Sequence, residues 1–228
     1  MKILAVEELA IPEIKIVRFA RYSDQRGYFT EHMRRSSLDK HAQTGFLRDV
    51  EFVQSNESFS RPGTIRGLHV QWNPYQGKLV RAIHGHLVDL ALDIRLGSPT
   101  FGQIVGYELI AHEDTAYGEW IWLPPGFAHG VCFFEPTVIE YYCTGEYSPG
   151  CEAGISPVAN DIDWSLCYTR LKRMFDEVVA DAPLLSDKDR DGFTLAGWLA
   201  NEHSAEFVYS TTRARMIGDD HGQTVEHA

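Results

Sequence analysis

Between residues 1 and 160 the chain runs as short stretches of β-branched and aromatic residues, cut apart by glycine- and proline-bearing turns. That pattern leaves few folds open. "IKIVRFA", "DVEFVQSNESFS", "KLVRAIHGHLVDLALDIR", "GQIVGYELIA", "EWIWLPPGFAHGVCFFE" and "TVIEYYCTGEY" read as strands. "RPG", "HG", "GSP", "PPG", "EP" and "SPG" read as the punctuation between them. Closely spaced short strands predict an all-β sandwich or barrel. The "HG" dipeptide at His84 and Gly85 predicts a hairpin turn inside the longest run.

Helices enter at the margins. "RSSLDKHAQ" carries a weak helical signal. In "LCYTRLKRMFDEVVADA", Leu171, Met174, Phe175, Val178 and Val179 fall on one face, which predicts an amphipathic helix docked on the barrel. "DGFTLAGWLANE" is a second helical candidate, and the polar "TTRARMIGDDHGQTVEHA" is expected to fray. No run of about 18 apolar residues occurs, so no membrane span is expected. The N-terminus is broken by Glu and Pro and makes a poor signal peptide. Cys132, Cys143, Cys151 and Cys167 form no C-x-x-C pair and no zinc spacing, so reduced thiols in a cytoplasmic protein are the expectation. The net charge of −11 argues against a nucleic-acid surface while leaving room for a locally basic pocket. Neither a Rossmann nor a P-loop glycine pattern is present.

Three stretches carry candidate chemistry. "RGLHVQ", followed by "QGKLVR", puts Arg66, His69 and Lys78 among strand-forming residues. A neutral imidazole can accept a proton, and two cations can stabilise an anion beside it. "WLPPGFAHGV" ends a strand at Pro124 and Pro125, turns at Gly126 and points His129 along the next strand, as in cupin barrels. In "IEYYCTGEYSPG", alternation sends Tyr141 and Tyr142 to opposite faces, so one phenol can face the interior as an acid. Taken singly, each of these residues also has an ordinary structural explanation. "HGH", His84 to His86, looks like half a metal site, but Asp89 and Asp93 follow where a metal cupin would supply a glutamate, so no metal is expected.

Together, "DQRGYFTE", "FVQSNESFS", "IRGLHVQ", "QGKLVRAIHGHLVDLALDIRLGSPTFGQ", "WLPPGFAHGV", "YYCTGEYSPGCEAGI" and "PLLSDKDRDGFTLAGWL" resemble, in order, the dTDP-4-dehydrorhamnose 3,5-epimerase family. The resemblance covers roughly residues 10–198. It implies a cupin-like jelly-roll β-barrel with short peripheral helices and a homodimeric, cofactor-independent enzyme acting on a dTDP-4-keto-6-deoxyhexose. It implies His69 as the base, Asp189 of "LLSDKD" as its carboxylate partner, Tyr141 as proton donor and Lys78 beside the sugar ketone. Arg26 and Glu31 are implied to reach a nucleotide across the dimer interface. Gln54, Asn56, Arg66, His129, Tyr147, Glu152 and Lys188 match further ligand contacts. The chemistry is coherent: a C–H beside a ketone is acidic only as an enolate forms, so the ketone is the electron sink and neither metal nor nicotinamide is needed.

The chain departs from the family after "GI", where "SPVANDIDWSL" replaces a "WNDP"-like segment. About 15 helical residues then precede "PLLSDKD". These features predict an epimerase domain over residues 1–198, with an insertion at about 165–182, and a C-terminal extension, helical and partly flexible, over residues 199–228. A single-position epimerase, a 3,4-ketoisomerase on the same barrel and a non-catalytic sugar-nucleotide-binding cupin are the competing readings.

Overall fold

The computed structural model describes residues 1–211; the expected fraying of the final polar stretch falls almost wholly outside them. The fold is all-β and cupin-like. The described residues form eleven strands: β1 (Ile3–Glu8), β2 (Lys15–Asp24), β3 (Gly27–Thr30), β4 (Gln54–Ser60), β5 (Ile65–Gln71), β6 (Lys78–Asp93), β7 (Ile104–Ala111), β8 (Tyr117–Leu123), β9 (Phe127–Phe133), β10 (Thr137–Cys143) and β11 (Glu152–Gly154). One layer runs β1-β2-β8-β6-β10-β4, with β3 folded back on β2; the facing layer runs β7-β6-β9-β5-β11. All these pairings are antiparallel.

Strand β6 belongs to both layers, and here the expected hairpin at His84–Gly85 is corrected. The chain stays one strand from Lys78 to Asp93 and turns a corner at Gly85. Its first half pairs with β8 and β10 and its second half with β7 and β9. Gly85 has φ +109°, and a Cβ there would sit 2.7 Å from the Thr137 Cα. Only glycine fits such a corner. Lys78 pairs with Leu123 and Asp93 with Phe127, so both ends of β6 return to the β8–β9 turn at the barrel mouth.

Alternation then sorts the side chains. Leu87, Ala91, Val131, Phe133 and Ile121 fill the barrel interior below the mouth. Val88, Leu90 and Leu92 face outward, under a cover that includes Ile155, Leu171, Phe175, Trp198 and Phe207 from the C-terminal third. The outer face of the other layer, with Trp120, Trp122 and Leu79, is covered by Leu38 and Leu47. Those two come from α1 (Arg35–Lys40) and the 3-10 turn Ala42–Leu47, where the weak helical signal lay. The stronger signal forms α2 (Thr169–Ala180), burying Leu171 and Phe175. Each fully buried Leu, Val or Phe contributes about 1.5–3 kcal/mol, so these covers are substantial parts of the fold. Two short helices follow, α3 (Asp187–Arg190) and α4 (Leu195–Leu199). No described helix is long and apolar enough to cross a membrane.

Candidate active site

Strand register assembles the mouth. Tyr141 lies opposite Asn56 on one side and Val80 on the other; Cys143, two residues on, lies opposite Gln54 and Lys78. Opposed residues share a face, so Tyr141, Asn56, Gln54 and Lys78 all point inward. Tyr142 points out and packs near Trp120, at 5.2 Å between ring centroids, which is the division the alternation predicts. From the facing layer, His69 pairs with His129 and Gly154, and His129 with Ala91. Gly67 makes this approach possible. Its φ is +103° and a Cβ would meet the His129 carbonyl oxygen at 2.5 Å, so the glycine of "RGLH" lets β5 bulge against β9.

The result is a cavity of about 320 Å³ lined by His69, Lys78, His129, Tyr141, Gln54 and Asn56, with Tyr147 and Glu152 at the same site and Val70, Leu123, Pro124 and Phe127 as its apolar wall. Gln71 and Gln76 also line it. Sequence reasoning missed both, although Gln71 stands two residues beyond His69 on the same strand, where alternation places it on the same face.

Asp189 stands behind His69. Its Oδ1 lies 2.6 Å from His69 Nε2. A carboxylate only accepts, so His69 donates Nε2–H to Asp189, and Nδ1 of the neutral ring carries the free lone pair. The carboxylate is delivered by a segment pinned on both sides. Before it, Leu184 pairs with Thr64 at the start of β5; after it, Phe193 pairs with Ile155. Between them Ser186 caps α3, accepting from the Asp189 N–H at 3.1 Å. Burial pushes the Asp189 carboxyl up. The bonds from His69 and Ser186, the charge on His69 and the Gly67 N–H outweigh that and hold it below the ordinary aspartate value.

A second imidazole faces the same cavity. His129 Nε2 lies 2.9 Å from Asp89 Oδ2, both residues being buried, and Asp89 Oδ1 has no hydrogen-bond partner. Burial lowers the His129 pKa; Asp89 opposes this, while Lys78 and His69 add to it. His129 is therefore neutral at pH 7. Lys78 is lowered chiefly by burial, with Cys143, Asp89 and Glu152 pulling the other way. Tyr141 is raised by burial first and by Cys143, against Arg66 and Asn56, so its phenol carries its proton at neutral pH. Asp89 as partner of His129 was not legible in the chain, since it depends on the β6–β9 register.

Other candidate residues lie outside the cavity lining. Lys188 stands at the rim, its Nζ 2.5 Å from Glu152 Oε1. Glu152 also accepts from the Tyr147 hydroxyl at 2.8 Å. Burial raises Glu152, but these two bonds and the Lys188 and His69 charges leave it lowered. Arg66 is exposed and donates to Ser60 Oγ at 3.0 Å. Arg26 and Glu31 flank β3, Arg26 bonded to Asp24 at 2.6 Å and Glu31 to Arg34 and the N-terminal amine. His86 Nε2 lies 2.9 Å from Glu108 Oε1, and the His84 ring lies 6.0 Å from that of His112. Among the described residues, no three His, Cys, Asp or Glu side chains gather around a metal position.

Comparison with known proteins places this arrangement. The family model for dTDP-4-dehydrorhamnose 3,5-epimerase matches residues 8–197. The dTDP-4-dehydrorhamnose 3,5-epimerase of Pseudomonas aeruginosa is 40% identical over 193 residues, covering 82% of this chain and 94% of that protein. That of Sinorhizobium fredii is 43% identical over 152 residues, covering 65% of this chain and 73% of that protein. The crystal structure of dTDP-6-deoxy-D-glucose-3,5-epimerase from Legionella pneumophila, in complex with dTDP-4-keto-L-rhamnose, superposes with TM-score 0.70 at 34% identity, covering 84% of this chain and 93% of that one. With the match spanning most of the barrel and every strand that lines the cavity, the chain belongs to the dTDP-4-dehydrorhamnose 3,5-epimerase family.

Proposed function

We propose that the protein is an isomerase that inverts C3 and C5 of a dTDP-4-keto-6-deoxyhexose. The observation that carries this reading is the His69–Asp189 pair at 2.6 Å, opening on the cavity that Tyr141 and Lys78 also line.

The steps follow from the side chains. His69 Nδ1 takes the proton from the carbon beside the ketone, and the C–H electron pair moves into the ring to form the enolate. Asp189 stabilises the imidazolium and fixes its tautomer. The Lys78 ammonium faces the enolate oxygen as negative charge develops. Tyr141 returns a proton to the opposite face of the carbon, which inverts it; the phenolate then regains a proton from solvent and the His69 imidazolium releases its own to solvent before the next inversion. His129, neutral and tied to Asp89, contacts the sugar. Gln54, Asn56, Tyr147 and Glu152 orient the substrate, while Arg66 and Lys188 meet the diphosphate.

The reading includes a homodimer. Arg26 and Glu31 flank a hairpin outside their own cavity lining, where a partner's nucleotide could lie against them. The test is incubation with dTDP-4-keto-6-deoxyglucose in heavy water. Deuterium at both C3 and C5, followed by NMR, is the expected result. Deuterium at C3 alone makes the enzyme a single-position epimerase, and none at either carbon ends the catalytic reading.

A further inference from the structure

The C-terminal segment packs where a purely peripheral tail would not. Strand β5 ends at Gln71, and the loop Trp72–Gly77 leads straight into Lys78. The inner side of that loop is joined to the loop after β10. The Gln71 amide donates to the carbonyls of Pro74 at 2.8 Å and Glu146 at 2.9 Å and accepts from the Ser148 N–H at 3.0 Å. Gln76 donates to the Gly145 carbonyl at 2.9 Å. Gln71 at the end of β5, with Gln76 and Tyr147 on these two loops, forms one wall of the cavity.

The outer side of the same loop rests on residues 198–207. The His203 ring stacks on Trp72 at 4.3 Å with 18° between planes, and Trp198 lies 6.4 Å from Trp72. The Tyr75 hydroxyl is 2.9 Å from both the carbonyl and a carboxylate oxygen of Glu206, and its ring meets Phe207 edge-on at 5.6 Å. The segment is itself anchored to the other end of β6: Leu96 N–H donates to the Phe207 carbonyl at 2.7 Å, and Tyr209 N–H to the Leu96 carbonyl at 3.0 Å. Because β6 turns its corner at Gly85, Leu96 and the loop before Lys78 lie at the same mouth.

We infer that residues 198–209 are a strap that fixes the glutamine wall of the substrate cavity, with His203 as its positioning residue. The strap ties two mouth loops together from outside. Loops at a cavity mouth are drawn from the least stable parts of a fold, so a brace there acts on binding more than on global stability. The kinetic arm of the test rests on the epimerase reading; the exchange arm does not.

The test is made on the full chain, comparing wild type, His203→Ala and His203→Phe. Amide hydrogen exchange at residues 71–77 and 144–148 rises about tenfold in His203→Ala, leaves β6 and β9 unchanged, and returns in His203→Phe, which restores the stack. KM for dTDP-4-keto-6-deoxyglucose rises about tenfold in His203→Ala while kcat changes by less than about twofold. Should His203→Ala fail to fold, Tyr75→Phe removes the hydroxyl bonded to Glu206 and moves both readouts the same way, by about threefold. Exchange that stays at the wild-type level in both loops, or a KM that does not move, overturns the strap. A wild type that turns over no sugar overturns the epimerase reading instead, and the exchange data then decide the strap alone.

Discussion

The cavity holds two histidine–carboxylate pairs of nearly the same chemistry in different settings. In the first, His69 is about one third exposed and its partner arrives from α3, some 120 positions later in the chain. In the second, His129 and Asp89 sit on neighbouring strands, both buried, with one Asp89 oxygen unpartnered and Lys78 close enough to act on the imidazole. The difference supports the separate roles proposed for them. An imidazole that is to take a proton needs an open nitrogen and a carboxylate whose other bonds are already made, so the new cation is met by fixed charge. Asp189, bonded by His69, Ser186 and Gly67, supplies that. A buried imidazole beside an ammonium is held neutral, and its carboxylate serves the field around Lys78 more than any proton transfer.

Four expected outcomes sharpen the contrast. Tyr141→Phe removes the acid while keeping the ring, so inversion falls about 10³-fold. Deuterium exchange without inversion persists in that variant, since the base is intact; NMR of recovered substrate separates the two. Asp189→Asn leaves His69 without its anionic partner and lowers kcat about 10²–10³-fold with little change in KM, read by steady-state kinetics. Asp89→Asn acts on Lys78 instead. Burial lowers Lys78, with Asp89 among the groups opposing it, so loss of the Lys78 proton is expected to shape the alkaline side of kcat/KM. Removing the Asp89 charge lowers Lys78 further, and a pH–rate profile should show the alkaline loss of kcat/KM moved to lower pH. The smallest effect is on stability. Asp189 titrates below the ordinary aspartate value of about 3.9, so its contribution is complete above that pH and is lost as pH falls through the depressed value. Denaturant melts should therefore give wild type a margin over Asp189→Asn, on the order of 1 kcal/mol at pH 6, that closes in acid.

The two pairs also divide what the sequence could reveal. The strands of the barrel, the helix carrying Leu171 and Phe175, and the opposite facing of Tyr141 and Tyr142 follow from local periodicity, which a single chain displays. The corner at Gly85 does not. A glycine with positive φ serves a hairpin and a sheet corner equally well; what decides is Thr137, packed against it from a strand 52 positions later. Both carboxylate pairings are likewise products of tertiary register. Asp189 was reachable only through family resemblance, and Asp89, noted in the sequence only as standing where a metal cupin would carry a glutamate, became the partner of His129 only once β6 and β9 were aligned.

The central claim is that the open pair abstracts the proton and the buried pair does not. Solvent deuterium uptake into dTDP-4-keto-6-deoxyglucose, followed by NMR for His69→Asn and His129→Asn side by side, tests it most directly. The account predicts uptake reduced about 10⁴-fold in His69→Asn and slowed but still measurable in His129→Asn. Uptake that survives in His69→Asn and vanishes in His129→Asn would contradict it.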